Sequence, residues 1–274
     1  MTTTLRPTGP LRKSADGAKS RTYEVCVNSR PVGGIELATH PVFGPTVAQI
    51  GDLRIEEPDR RRGRGTVAAL AAEEVARGWG CERIETVVPA EATAAHRLVT
   101  SLGYVERNRQ MAKVLAAEPP ALPAGVEGRS MTEAEFEVWL AHQKEDYART
   151  WMERGVPEAQ ARAKSEADHA DFLGQGLATP GTFLSVLNHE GTRVGTLWLA
   201  LRDDSAFVFK VEVDEAYRGR GHGRSLMLLA EARARAAGRS RIGLNVFAGN
   251  TPALRLYESL GYEPLTYYVY KQLL

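Results

Sequence analysis

Two short stretches of this chain carry residue types suited to holding phosphate. Arg60, Gly63 and Gly65 recur as Arg218, Gly221 and Gly223, the pattern Arg-x-x-Gly-x-Gly, 158 residues further on. Glycines let successive backbone N–H groups turn into one concavity, and a following helix adds the positive end of its dipole. Flanking arginines add charge-assisted contacts to phosphate oxygens. A tight loop that only caps a helix uses the same residues, so the motif alone leaves both readings open.

The offset of 158 residues also carries Ser101-Leu102-Gly103-Tyr104 onto Ser259-Leu260-Gly261-Tyr262. Leu53–Tyr104 lies over Val211–Tyr262 without a gap, and by direct count 23 of these 52 positions are identical. A repeat of that length is a duplicated structural unit, so the architecture is tandem. Each copy then serves as a control for the other.

Periodicity predicts the elements that place the motifs. In the first copy, strands are expected over 23–28, 32–38 and 48–55, joined early by a turn at Ser29–Pro31. A helix over 66–77 stops at Gly78 and Gly80, and a strand over 83–88 and a helix over 93–102 follow. In the second copy, Thr132 and Glu135 form a capping-box signature. Phe136, Leu140, Gln143, Tyr147 and Trp151 then share one helix face, and Pro157 begins a second helix to about Phe172. Strands are expected over 182–187, 193–201 and 206–213, then helix 224–237, strand 241–246, helix 252–260 and strand 267–271. The phosphate motif thus sits between a strand and a helix in both copies. The domain reading is a flexible N-terminal arm over 1–21, a truncated and degenerate unit over 22–115, a Pro-rich linker over 116–124 and a complete unit over 125–274.

Composition narrows the function classes. A hydrophobic share of 43% with 25% charged residues is that of a soluble globular protein, and 274 residues suit two ordinary domains. A net charge of +1 gives no global attraction for nucleic acid or an anionic membrane, and neither partner is expected. No apolar run reaches membrane-spanning length, and the basic first twenty residues lack the apolar segment of a signal peptide. The two scattered cysteines, Cys26 and Cys81, indicate a reducing compartment, so a cytoplasmic location is expected. The six histidines show no ligand spacing, and no metal is expected.

The order of strand, Arg-x-x-Gly-x-Gly loop, helix, strand and short helix resembles the GNAT superfamily of N-acetyltransferases. The matching residues are Val211-Glu212-Val213, Arg218-Gly219-Arg220-Gly221-His222-Gly223 and Asn250-Thr251-Pro252-Ala253-Leu254-Arg255-Leu256-Tyr257. The resemblance covers nearly all of 125–274 and about 22–115. It implies an α+β fold in two copies, each a mixed, mostly antiparallel sheet flanked by helices and splayed open between its fourth and fifth strands. It further implies that acetyl-CoA lies in that cleft, with its pantetheine arm along Val211–Val213 and its pyrophosphate on Arg218–Arg224. An amine then attacks the thioester directly, and a backbone N–H of the fourth strand stabilises the oxyanion.

Individual residues follow from the resemblance. Tyr257 is the candidate acid for the leaving CoA thiolate, and Asn250 and Ala253 are candidate pantetheine contacts. Asn250 is also an ordinary helix cap, and Tyr257 has Leu254 and Leu256 as neighbours, as a core tyrosine would. Glu212 is the one carboxylate inside the fourth strand and the candidate general base, acting through water. It is equally readable as a salt-bridged strand residue beside Lys210. His222 fills a variable slot of the loop and is expected to be exposed. The helices over 132–172 are expected to roof the acceptor, with Trp139, Tyr147 and Trp151 either lining it or forming core. Glu145 and Asp146 either attract a cationic amine or belong to a solvated face.

The first copy reads as a natural mutant. At the 158-residue offset, Tyr257 becomes Val99, Asn250 becomes Ala92 and Glu212 becomes Arg54. The loop Arg60-Arg61-Arg62-Gly63-Arg64-Gly65 survives as a candidate second CoA site. The expected protein is an acetyl-CoA-dependent N-acetyltransferase with catalysis in the second copy, packed intramolecularly against the first, and a small-molecule primary amine as acceptor. The rivals are a protein or peptide N-acetyltransferase and a non-catalytic acyl-CoA-binding regulator.

Overall fold

The computed structural model describes residues 2–118 and 121–273; of the expected linker, Pro119 and Pro120 lie outside the described residues. The chain forms two compact units. Unit 1 comprises Met1–Arg109, Phe247–Gly249 and Pro264–Leu274, and unit 2 comprises Gln110–Val246 and Asn250–Glu263.

Unit 1 is built from β1 (Thr3–Pro7), β2 (Arg12–Lys13), β3 (Lys19–Val27), β4 (Arg30–His40), β5 (Gly44–Ile55), α1 (Arg64–Gly78), β6 (Arg83–Pro89), α2 (Thr93–Ser101) and the start of β7 (Val105–Val114). Its strands run antiparallel except for β5 and β6, which are parallel. Asn28 and Ser29, both at positive φ, form the two-residue turn between β3 and β4. Part of the expected arm is strand: β1 pairs with β3 from Thr3↔Val27 to Pro7↔Tyr23, and Leu5 packs on the core. One apolar side chain in a Thr, Pro and Arg setting gives no period-2 signal, although it is enough to seat an edge strand.

Unit 2 contains β8 (Val126–Ser130), α3 (Glu133–Met152), α4 (Glu158–Phe172), β9 (Thr182–His189), β10 (Thr192–Leu201), β11 (Ser205–Val213), α5 (His222–Ala236), β12 (Arg241–Phe247) and α6 (Thr251–Ser259). The final strand is β13 (Glu263–Gln272). The strands β8 to β11 form an antiparallel meander and β12 joins β11 in parallel. The capping box at the start of α3 is formed: Thr132 Oγ1 accepts from the Glu135 N–H, and the Glu135 carboxylate accepts from the Thr132 N–H. Elements downstream of the phosphate loops match at the duplication offset, α1 with α5 and α2 with α6.

The duplicated sequence and the compact units divide the chain differently. By its position β13 ends the second copy, yet it pairs antiparallel with β6 of unit 1, from Thr266↔Pro89 to Gln272↔Arg83. Val269 and Leu273 enter the unit 1 core beside Ile84 and Val88. The first copy donates in return. Met111 and Leu115 are buried in the unit 2 core, and the Leu115 N–H donates to the Ser240 carbonyl at 2.8 Å.

A matching ion pair holds each donated strand. Glu73 of α1 is fully buried and accepts from the Lys271 ammonium at 2.7 Å. Glu231 of α5 is equally buried and accepts from Lys113 at 2.8 and 2.9 Å. Burial, then the neighbouring glutamate, raises the hydroxyl pKa of Tyr104 in one unit and of Tyr262 in the other. Removing one partner of such a pair leaves a buried charge and costs about 3–5 kcal/mol.

Lys271→Ala is expected to raise amide hydrogen exchange in α1 and β6 of unit 1, whereas Lys113→Ala raises it in α5 and β12 of unit 2; exchange resolved by mass spectrometry reads this crossed pattern. At the start of α3, the Glu135 carboxyl is brought down to about 2 by the Arg129 guanidinium, against burial, which raises it, and with help from Thr132. Its folded pKa is below its unfolded value, so its contribution is complete above about pH 4.3 and is lost as pH falls toward 2. Thermal unfolding of the wild type and of Glu135→Gln is expected to converge over that interval.

Candidate active site

The site in unit 2 begins with a strand irregularity. Trp198 pairs with Lys210 and Leu199 with Val208, so Phe209 is an extra residue on β11 and bulges it. The parallel pairing of β11 with β12 runs only from Ser205↔Arg241 to Val208↔Leu244. From Phe209 to Val213 the β12-facing edge of β11 has no strand partner among the described residues. Unpaired peptide groups on such an edge can take up an extended ligand as an added strand.

At the end of that edge the chain turns through a short helical turn, Glu215–Tyr217, into the phosphate motif. Gly219 and Gly221 have φ of 76° and 86°, the left-handed region that glycine enters without strain. Helix α5 starts directly after Gly221 with no side-chain cap, leaving its first N–H groups open to a ligand. Arg218 Nε donates to the Val213 carbonyl at 3.2 Å, and Arg220 lies beside the Tyr217 ring. Gly223 fits closely under Leu256, and Arg224 donates to the Ser259 hydroxyl. His222 is buried, contrary to the expected exposure: as the first residue of α5 it turns inward, its ring 5.1 Å from that of His189. Burial, then His189 and Arg220, keeps it below the ordinary histidine range.

Helix α6 supplies the remaining candidates. Asn250 Oδ1 accepts from the Ala253 N–H at 3.2 Å, so the side chain caps the helix. Tyr257 is half-buried against the unit 2 core with its ring 6.0 Å from Tyr262, and burial pushes its hydroxyl up to about 12. It therefore stays protonated, as a donor, through the neutral range.

On the other face of β11, α3 covers Lys210 and Glu212, while Val211 and Val213 pack into the core on the α5 side. Gln143 Nε2 donates to Glu212 Oε2 at 2.9 Å, and His142 Nε2 lies 3.2 Å from Glu212 Oε1. Lys210 donates instead to Asp146. Burial favours the neutral form of Asp146, yet this ammonium holds the carboxyl below its usual range. Trp139 is core, edge-on to Trp198 at 5.6 Å, whereas Tyr147 donates to Asp168 at 2.7 Å and lies edge-on to Trp151. Glu145 is in an exposed pair with Arg162. Sequence reasoning missed His142 and Gln143 as partners of Glu212, and Phe209 as a bulge. Only the placement of α3 over β11 discloses them.

Unit 1 keeps the geometry without the polar groups. Gly51 is the extra residue of β5, because Glu36 pairs with Asp52 and Leu37 with Ile50. The parallel pairing with β6 stops at Ile50↔Thr86. Gly63 has φ 72°, and Arg61 holds φ 57° where the second copy has Gly219, so the loop keeps its shape at some cost in strain. Arg60 Nε donates to the Ile55 carbonyl at 2.7 Å, as Arg218 does to Val213. Arg61 and Arg62 are exposed, Gly65 sits under Leu98, and Arg64 is buried in an ion pair with Asp59, which also binds Arg30 at 2.8 Å. A cleft of about 900 Å³ opens beside this loop, walled by Leu53, Ala92, Leu98 and Val99.

The acetyltransferase (GNAT) family model matches residues 4–104 and again 137–262. The chain therefore belongs to the GNAT family, as a tandem acyltransferase with two GNAT-like repeats of the α+β fold. It is 32% identical over 149 residues to the uncharacterized N-acetyltransferase YdgE of Bacillus subtilis (strain 168), covering 52% of this chain and 95% of that one. It is 26% identical over 234 residues to a mycothiol acetyltransferase of Clavibacter sepedonicus, covering 81% of this chain and 73% of the other. Among solved structures, it superposes on a tandem GNAT protein from the clavulanic acid biosynthesis pathway with a TM-score of 0.52 at 18% identity, over 96% of this chain and 85% of that one.

The position of Tyr257 generates a kinetic prediction. Tyr257→Phe removes one hydroxyl, and general acid groups contribute about 10²–10⁴ in rate. Steady-state kinetics are expected to show kcat for acetyl transfer reduced at least tenfold, with KM for the acyl donor little changed. An unchanged kcat where chemistry limits turnover would leave Tyr257 a packing residue.

Proposed function

We propose that the chain moves acetyl from acetyl-CoA to a primary amine of a small molecule, with all turnover in unit 2 and in a reducing, cytoplasmic setting. The observation that carries this reading is the unpaired Phe209–Val213 edge ending on the open, uncapped start of α5. Those residues fit an extended donor with an anionic pyrophosphate. Val211 and Val213 would pair with its arm, and Arg218, Gly219, Arg220, Gly221, Gly223 and Arg224 would hold its phosphates, with the His222 N–H among the donors. Asn250 and Ala253 would border the arm where α6 begins.

The donor, when bound, supplies an activated thioester. The chain's own groups do the rest. Glu212, positioned by Gln143 and His142, takes the proton of the incoming ammonium through water. A backbone N–H of β11 stabilises the carbonyl oxygen as it gains charge. As the C–N bond forms and the C–S bond breaks, Tyr257 gives its proton to the sulfur, and the second proton lost by the nitrogen restores the tyrosine through solvent. A small acceptor is favoured because the charges on α3 and α4 are largely paired within the roof: Glu145 with Arg162, Lys144 with Glu166 and Lys164 with Asp168. Buried, free Cys26 and Cys81 are consistent with a reducing compartment.

The test is a pair of loop variants, both checked for folding by circular dichroism and assayed by acetyl-CoA-dependent thiol release over a panel of amines, amino acids, aminoglycosides and peptides. Gly221→Trp forces a bulky residue into a left-handed, phosphate-facing position and is expected to abolish turnover. Gly63→Trp is expected to leave turnover in place. The reverse pattern in folded proteins would move catalysis to unit 1.

A further inference from the structure

We propose that unit 1 binds acyl-CoA thioesters with acyl groups longer than acetyl, the acyl chain passing Gly51 to the opposite face of the sheet. The inference rests on reading the Arg60–Gly65 loop as a CoA cradle, and it is independent of any turnover in unit 2.

Gly51 lines two cavities of unit 1. One is the cleft of about 900 Å³ on the side of α1 and α2, and the other is a cavity of about 410 Å³ bordered by Thr22, Glu36, Gln49 and Thr8. These lie on opposite faces of the sheet. Leu37, Ala48 and Ile50 point into the core beneath α1, and the alternating residues Glu36 and Gln49 point away from it. Gly51 is the bulged residue, at the end of the unpaired β5 edge remote from the phosphate loop. A donor with its pyrophosphate on that loop and its arm along the edge would bring its acyl group to Gly51.

The second copy carries a side chain at this point. Its bulged residue is Phe209, stacked on Trp198 at 4.7 Å and flanked by Phe172 and Phe207 at 5.0 and 5.1 Å. In unit 2 an aromatic ring therefore stands where unit 1 has a hydrogen atom. Unit 1 also replaces Tyr257 and Asn250 with Val99 and Ala92, which removes two polar groups from the cleft wall. The site keeps a phosphate cradle, gains apolar wall on the α2 side of the cleft and open space beside Leu37 and Ala38 past Gly51, and has Val99 in place of the tyrosine. It is built to hold a longer thioester without consuming it.

The experiment uses the full chain carrying Gly221→Trp, so that the unit 2 cradle is blocked, and isothermal titration with free CoA, acetyl-CoA, butyryl-CoA and hexanoyl-CoA. Each methylene taken out of water strengthens binding about fourfold, so burying two gives at least a tenfold preference for hexanoyl-CoA over acetyl-CoA. Gly51→Phe is expected to erase that preference and leave free CoA affinity unchanged. A Cβ at Gly51 meets Glu36 at 3.6 Å or more, so the backbone there accepts a side chain; Gly51→Leu serves as a smaller second variant. Adding Gly63→Trp is expected to abolish binding of every ligand. Equal affinity for acetyl-CoA and hexanoyl-CoA, a preference untouched by both Gly51 variants, or no thioester binding at all would each overturn the proposal. Turnover of the wild-type chain, measured in parallel, reports separately on the function proposed for unit 2.

Discussion

The structure depends on an exchange of final strands, each fixed by a buried lysine–glutamate pair. Helix α1 and strand β6 complete their packing with β13, and α5 and β12 with the end of β7. A buried ion pair is a poor source of net stability, because desolvation offsets much of its attraction. What it supplies here is register. A slip of one residue along β13 would turn Lys271 to the other face of the sheet and strand Glu73 without a partner. The same argument holds for Lys113 and Glu231. The two compact units are thus built from interleaved sequence, and neither stretch of duplicated chain can finish its own unit.

This constraint ties the first copy to the second unit. Its strand β7 is part of the unit 2 core through Met111 and Leu115, so the first copy cannot be discarded without opening the unit proposed to be catalytic. Unit 1 has the glycine loop and the bulge of unit 2, with Val99, Ala92 and Arg54 at the positions of Tyr257, Asn250 and Glu212, and a cleft beside the loop.

Much of this was legible in the sequence. The 158-residue offset located both loops and all four helices after them, because a shared Arg-x-x-Gly-x-Gly pattern needs the same turn in each copy. Thr132 and Glu135 marked the start of α3, since a capping box is a local interaction. Other features were not legible, for physical reasons. A bulge at Phe209 or Gly51 depends on which residues face it across the ladder. Exchange of β7 and β13 depends on long-range pairing that no local pattern encodes. The burial of His222 reflects an inward turn beside His189. One signal was present and unread: Glu73, Glu231, Lys113 and Lys271 recur at the same offset, and a glutamate kept on the apolar face of a helix implies a buried partner.

If the polar groups of unit 2 surround a thioester donor laid along β11, a crystal structure of the full chain grown with CoA will show it. CoA is expected in unit 2, its pantetheine paired with Val211 and Val213, its pyrophosphate on the N–H groups from Gly219 to Arg224, and its sulfur within hydrogen-bonding reach of the Tyr257 hydroxyl. A structure in which CoA lies elsewhere, or in which its sulfur is out of reach of Tyr257, would contradict it.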